Sequence, residues 1–377
     1  MGDLGTIITG NTPPRSRPEL YGSHTPFVKA TDISENEKYT YNPEEGYSEE
    51  GYKKYIKSLV PKGSTCVVTI GSIGKKMTMA HCDLFINQAM NAIIPFPNFD
   101  KDYVYYAVRN VLSNIKALDS GTASGRENVS KSAFSRMEVI IDDDLLIQKR
   151  IATALSRYDS LIDNYQKQIK LLEEAAQRLY KEWFINLRFP GHENTKIVDG
   201  VPEGWEKKSV GDMLRRMERT KQIPSNEYLK RGEIPVIDQS RNFVAGYTND
   251  EDSRLKVTTP VILFGDHTRV LKYLSFSFAR GADGTQLIMS NDIDRLPQSL
   301  FYNALVEKDL SNYSYARHFK YLKAEQILVP TKEIAQKFDT FAAKIYEQIQ
   351  SCRHQLRLLT ESRDRLLPKL LSGEIEV

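Results

Sequence analysis

The sequence predicts an α+β protein: two pseudo-symmetric mixed α/β domains separated by two long antiparallel coiled-coil helices. Three observations carry this. Two segments alone hold a seven-residue apolar repeat, and one shift of 187 residues superimposes them. The stretches between them are built of short β-branched runs fenced by Gly, Pro, Asn and Asp. The expected order is a first domain at 1–141, a long helix at 142–190, a second domain at 191–330, and a second long helix with tail at 331–377.

The helices are read from their stripes. In the first segment one row is Ile151, Tyr158, Tyr165, Leu172, and a companion row is Leu155, Ile162, Ile169, Ala176. In the second the rows are Phe338, Ile345, Cys352, Leu359 and Ala342, Ile349, Leu356, Arg363. Spacings of seven with companions four apart fall on one face of a helix, and repeats of this length pair with another helix. Two stripes in one chain most simply pair with each other, antiparallel, which sends the two domains to opposite ends. Asp142 to Asp144 cap the first helix and Pro190-Gly191 closes it; Pro330-Thr331 opens the second, and Pro368 with Gly373 ends it. At the α-helical rise the two would be ~60 and ~50 Å long.

Within the halves, strands are expected around 27–28, 66–70, 92–94 and 139–141, then 235–237, 261–264, 287–289 and 327–329. Helices are expected at 102–118 and 297–305. Each half is long enough to bury its own core.

Composition narrows the class. With 52 Lys and Arg against 49 Asp and Glu, the net charge of +3 excludes a whole-chain polycation but permits a local basic face. The three cysteines form no C-x-x-C pair and read as free thiols of a reducing compartment. No apolar run approaches the ~20 residues of a membrane span, and the opening residues make no signal peptide. A cytoplasmic protein without membrane contact is expected.

Catalytic signatures are missing. The run at 71–75, GSIGK, has the wrong glycine spacing for a phosphate-binding loop, and NTPPR at 11–15 fails as a base-flipping methyltransferase tetrad. Glu206-Lys207-Lys208 reads as a solvated strand edge. The six histidines make no i, i+4 pair that would ligate a metal. Neither a catalytic residue nor a metal ligand is assigned.

Loops rich in Arg, Lys, amides and hydroxyls instead suit contact with phosphates and base edges. In the first half these are Ser72, Lys75 and Lys76 in one loop, and Ser124, Arg126, Asn128 and Lys131 in another. In the second half, Gln239, Arg241, Asn242, His267 and Arg269 join Arg280 and Gln286 of FARGADGTQ. Arg317, His318 and Lys320 of YARHFKYLK complete the set. The loops at 120–131 and 315–323 occupy matching places, each just before the run that leads into a long helix.

Here the chain resembles the specificity subunits of type I restriction–modification systems. The residues that carry this are GDLG at 2–5, TPFVKATDI at 25–33, STCVVTIGSIGK at 64–75 and QKRIATALSRYDSLI at 148–162. In the second half they are VPEGWEKKSVGD at 201–212, PVIDQS at 235–240, PVILFGD at 260–266 and LPKLLSGEI at 367–375. The resemblance implies two target-recognition domains, each reading one half of a bipartite, asymmetric site on double-stranded DNA. It also implies helices on which two modification methyltransferase subunits and a restriction/translocase subunit assemble. S-adenosylmethionine, ATP and Mg would sit on those partners, and none on this chain. The second repeat opens with VPEGW before its Gly211-Asp212, whereas the first starts directly at Gly2-Asp3; the first domain's boundary is left open. Two rival readings are a specificity subunit for a fused methyltransferase–nuclease and a coiled-coil adaptor that binds no DNA.

Overall fold

A computed structural model describes residues 1–35, 37–119, 127–217, 220–282, 284–313 and 317–377. The chain divides into two compact units. The first takes residues 1–166 and 355–377, and the second takes 167–354.

In the first unit, strands β1 (Gly5–Thr9), β2 (Tyr21–Val28), β3 (Glu45–Tyr47), β4 (Thr65–Val68), β5 (Met77–Met79), β6 (Phe85–Ile86) and β7 (Met90–Pro95) make two sheets. One is antiparallel in the order β1-β7-β4-β5; the other runs β3-β2-β6. Every side chain of β4 is buried, which is why its sequence, Thr-Cys-Val-Val, shows no alternation. Gly5 is required where β1 meets β7, since a Cβ there would lie 2.1 Å from the Ile94 carbonyl oxygen. Helix α1 (Glu49–Tyr55) is capped by Ser48, and α2 (Lys101–Asn110) by Asp100, whose carboxylate accepts from the Tyr103 N–H. Helix α2 buries the run Tyr103 to Val108 in a core shared with Val67 and Ile93. After α3 (Lys131–Arg136) comes α4 (Leu145–Tyr180), of which the part up to 166 belongs here. Its Ile151, Ala152 and Leu155 share that core with Leu367, Leu370 and Leu371 from the last helix.

The expected strand at 139–141 does not form, and Ile140 is 82% exposed. The second repeat explains this. There the matching run, Gln326–Val329, pairs with a strand at Glu206–Ser209, whereas the run at 139–141 pairs with no strand among the described residues.

In the second unit, β8 (Ile197–Val198) and β9 (Val201–Pro202) form a hairpin across Asp199-Gly200, both at positive φ. Strand β10 (Glu206–Ser209) is the one that pairs with β19 (Gln326–Val329), antiparallel. Strands β11 (Gln222–Ile223), β12 (Ile234–Ile237), β13 (Gly246–Thr248), β14 (Arg254–Leu255) and β17 (Phe278–Gly281) form one sheet. In it β17 lies between β11 and β12, parallel to both. Strands β15 (Val261–Gly265), β16 (Leu271–Leu274) and β18 (Thr285–Ile288) form another, ordered β16-β15-β18. Helices α5 (Gln298–Val306), α6 (Phe319–Ala324) and α7 (Lys332–Leu371) complete the unit, with α7 passing into the first unit beyond residue 354. The core gathers Leu300, Phe301 and Ala304 of α5 with Ala176 and Tyr180 of α4, and Phe338, Ala342 and Ile349 of α7.

Within each unit the long helices run antiparallel. In the second, Trp183 meets Phe338 with ring centroids 5.8 Å apart, while Gln168 meets Cys352. Two helix ends differ from expectation. Helix α4 leaves α-geometry before Pro190: a π turn at Lys181–Ile185 follows it, burying the adjacent Trp183 and Phe184, and Leu187 takes φ 54°. Helix α7 continues through Pro368 to Leu371, because a proline one turn from the end costs a single hydrogen bond; Gly373, at φ 73°, then turns the chain.

The seam is not a strict heptad. Ile151, Leu155, Ile162, Phe338 and Ile349 are buried as expected, whereas Tyr158, Tyr165, Ile169, Leu172, Ile345, Leu356 and Leu359 are half-buried. The central positions run 148, 151, 155, 159, 162 and 335, 338, 342, 346, 349: the steps come in the order three, four, four, three, so they keep the mean heptad period but not the strict alternation of two fixed rows. Asp159 and Tyr346 therefore take places the heptad rows gave to Tyr158 and Ile345.

Candidate nucleic-acid interface

In the first unit the turn at 71–76 is shaped by Gly71 (φ 88°) and Gly74 (φ 73°). It is stitched to the segment before α3 by the bridge Ile70–Asn128, the bond from the Gly71 N–H to the Glu127 carbonyl (3.0 Å), and that from Val129 to Thr69 (2.9 Å). The fold thus brings Ser72, Lys75 and Lys76 beside Asn128 and Lys131. Ser72, Lys75 and Lys131 are exposed; the Lys76 ammonium donates to the Ala30 carbonyl at 3.3 Å, and the Asn128 N–H to Asp119 at 2.7 Å. Ser124 and Arg126 lie outside the described residues.

In the second unit three loops converge. The Gln239 side-chain oxygen accepts from the His267 N–H (3.1 Å), and the Gln239 carbonyl accepts from the Thr268 hydroxyl (2.6 Å). The Asp266 N–H donates to Gly284 at 2.6 Å; Gly284 holds φ 64°, and a Cβ there would strike Gln239 and His267. This places Gln239, Arg241 and Asn242 beside His267 and Arg269, next to Gly284, which precedes the strand that bears Gln286, while Arg280 lies on β17. Arg241, Asn242 and His267 are exposed, and so are Arg317 and Lys320 around the start of α6.

Three of the basic side chains are spoken for. His318 is only 5% exposed; its ring nitrogens sit 2.8 Å from the carbonyl oxygens of Asp266 and Tyr313, so the ring clasps two loops and does not face a ligand. The Arg280 guanidinium, on β17, bonds the Thr285 carbonyl at the start of β18 (2.6 Å), and Arg269, at φ 63°, bonds the Leu310 carbonyl (3.0 Å). These positions support the loops.

Sequence reasoning missed Lys272, which stands in β16 among apolar neighbours and is 4% exposed. Its ammonium donates to the carbonyls of Asp238 (2.8 Å) and Asn242 (2.5 Å), bracketing the loop that carries Gln239 and Arg241. Burial pushes its pKa down to about 8, with Asp238 opposing and Arg353 assisting. A lysine in a strand that otherwise reads Leu-Tyr-Leu was the available signal. Among the described residues no group of His, Cys, Asp or Glu is placed to hold a metal ion, and no helix is long and apolar enough to cross a membrane.

A repeated domain-plus-helix unit with polar loops above paired helices defines the class, and comparison with known proteins names it. Residues 1–174 match the family model of the type I restriction modification DNA specificity domain. The chain is 27% identical over 406 residues to the type I restriction enzyme MjaIX specificity subunit of Methanocaldococcus jannaschii, covering 100% of this chain and 92% of that one. It is 28% identical over 175 residues to the HindI specificity subunit of Haemophilus influenzae, covering 46% of this chain and 38% of that one. In fold it is similar to the crystal structure of a type I restriction–modification S subunit from M. genitalium (TM-score 0.57, 17% identity, 98% of this chain and 94% of that one). Residues 1–174 thus carry a type I restriction modification DNA specificity domain, and along its whole length the chain is similar to a type I restriction enzyme specificity subunit.

Proposed function

We propose that this specificity subunit reads a bipartite, asymmetric site on double-stranded DNA, one half-site for each repeat. Two modification methyltransferase subunits, and in the full complex a restriction/translocase subunit, assemble on its helices. S-adenosylmethionine, ATP and Mg would be held by those partners, with methylation and cleavage carried out there.

The observation that carries this reading is the duplication itself. The buried faces of the two helices coincide under one shift of 187 residues, and such a repeat would offer one kind of partner two similar footholds. The loops do not match: 71–76 with 127–131 in one repeat, 239–242 with 266–269 in the other. Unlike loops on like scaffolds would select unlike half-sites.

The test is a map of methylated adenines in a host expressing this chain with its modification subunit. The expected result is one motif of two different short half-sites separated by a fixed gap. A palindromic or continuous motif, or no methylation, would refute the reading.

A further inference from the structure

Under the shift of 187 residues the buried faces of the long helices coincide. Ile162 matches Ile349, Tyr180 matches Leu367 and Trp183 matches Leu370, all buried. At two of these buried positions a charged residue in one helix answers to an uncharged one in the other. Asp159 of α4 answers to Tyr346 of α7, and Ala176 of α4 answers to Arg363 of α7.

In the first unit Asp159 and Arg363 meet, 7% and 1% exposed, at 2.6 Å. The Tyr106 hydroxyl donates to the other carboxylate oxygen, and Asp364, 2.9 Å from Arg363, shares the guanidinium. In the second unit the matching residues, Ala176 and Tyr346, lie in one apolar cluster, and the Tyr346 hydroxyl donates to Asn303 at 3.1 Å. An ion pair occupies one end of the duplicated seam, and a small and a large uncharged residue occupy the other.

Duplication creates an ambiguity. With near-equivalent stripes, α4 of one chain would fit α4 of a second chain in the same antiparallel register. That arrangement sets Asp159 against Ala176 of the second copy, and α7 on α7 sets Arg363 against Tyr346 of the second copy. The first buries Asp159 with no counter-charge, and the second leaves the buried Arg363 only the partly exposed Asp364 of its own helix, both of which a desolvated seam penalises. We propose that the Asp159–Arg363 pair makes helix pairing directional: it admits α4 with α7 and rejects homotypic pairing with another copy of this chain. This stands independently of what the loops bind.

Gln168 provides the reporter. Its side-chain oxygen lies 3.6 Å from the Cys352 sulfur, so in Gln168→Cys the native pairing yields an intramolecular disulfide to Cys352. In homotypic α4 pairing the point midway between 159 and 176 falls at 167–168, and the introduced thiols of two chains meet. Full-length Gln168→Cys chains are unfolded, refolded over a range of concentrations, oxidised, and analysed by non-reducing electrophoresis and mass spectrometry.

With the natural pair, and with the charge swap Asp159→Arg/Arg363→Asp, the expected product is the internal 168–352 link. With Asp159→Tyr/Arg363→Ala, which gives both repeats the same seam, the covalent dimer through position 168 should rise about tenfold or more. Asp159→Leu/Arg363→Leu provides a second uncharged seam with the same expectation. Equal dimer fractions in all backgrounds would overturn the proposal, as would a charge-swapped chain that dimerises as much as the uncharged ones.

Discussion

The guanidinium of Arg353 stacks over the ring of Phe243, its central carbon 3.7 Å from the ring centroid. The same Arg353 donates to Glu173 of α4 at 2.8 Å. One side chain of α7 thus ties the helix pair of the second unit to the loop that carries Arg241 and Asn242. Burial lowers the Arg353 pKa and raises that of Glu173, so for both groups loss of water outweighs their mutual attraction. The anchoring therefore rests on the stacked ring more than on the ion pair.

Phe243→Leu should lower stability by about 1 kcal/mol, the worth of a partly desolvated cation–π contact. DNA affinity should fall several-fold, because the loop loses its anchor. Glu173→Gln should change both much less. Thermal unfolding and fluorescence anisotropy with the mapped site would check this.

Lys272 gives a pH signature. Its ammonium is depressed to about 8 in the folded chain from a usual 10.5, so between these values the unfolded chain binds more protons. Stability should therefore rise as pH climbs from about 8 to 10.5, by an amount on the order of 3 kcal/mol. Lys272→Met should remove that rise. Denaturant titrations of both proteins across this range measure it, and parallel pH profiles would contradict the assignment.

The Asp159–Arg363 pair should show strong non-additivity. Burial alone would lower the arginine pKa, but Asp159 and Asp364 more than offset it and hold it above its ordinary value. Arg363→Met alone should cost about 3–5 kcal/mol by leaving the buried Asp159 without its counter-charge, Asp159→Leu should cost less because Asp364 still holds Arg363, and the double change should be close to neutral. A double-mutant cycle from urea unfolding gives the coupling directly.

Lys75 is exposed at the rim of the 71–76 turn. If it neutralises one phosphate, Lys75→Ala should weaken binding evenly across DNA sequences and reduce the salt dependence by about one ion. Affinities between low and physiological salt decide the matter; a change confined to one sequence would assign it to a base.

Much of this architecture was legible in the chain. The long helices were plain because apolar periodicity survives any detail of packing, and all but one of the expected strands fall on or overlap real ones. What was hidden depended on partners distant in sequence. A heptad template passed over Asp159, since a carboxylate in a seam makes sense only once Arg363 arrives from 204 residues away. His318 looked like a ligand-facing ring until two carbonyls from other loops closed on it. The run at 139–141 has strand composition, but a strand needs a neighbour, and composition carries no word of that.

The first unit is assembled from two separated stretches, 1–166 and 355–377, whereas the second, 167–354, is one unbroken stretch. On the ribosome the usual order, in which the leading domain closes first, is therefore inverted. Residues 167–354 can complete their core while residues 1–166 wait for Arg363, Leu367, Leu370 and Leu371, which are made after both. A late nonsense codon, far from the first repeat in the gene, would strip the floor from that repeat and leave the second one standing.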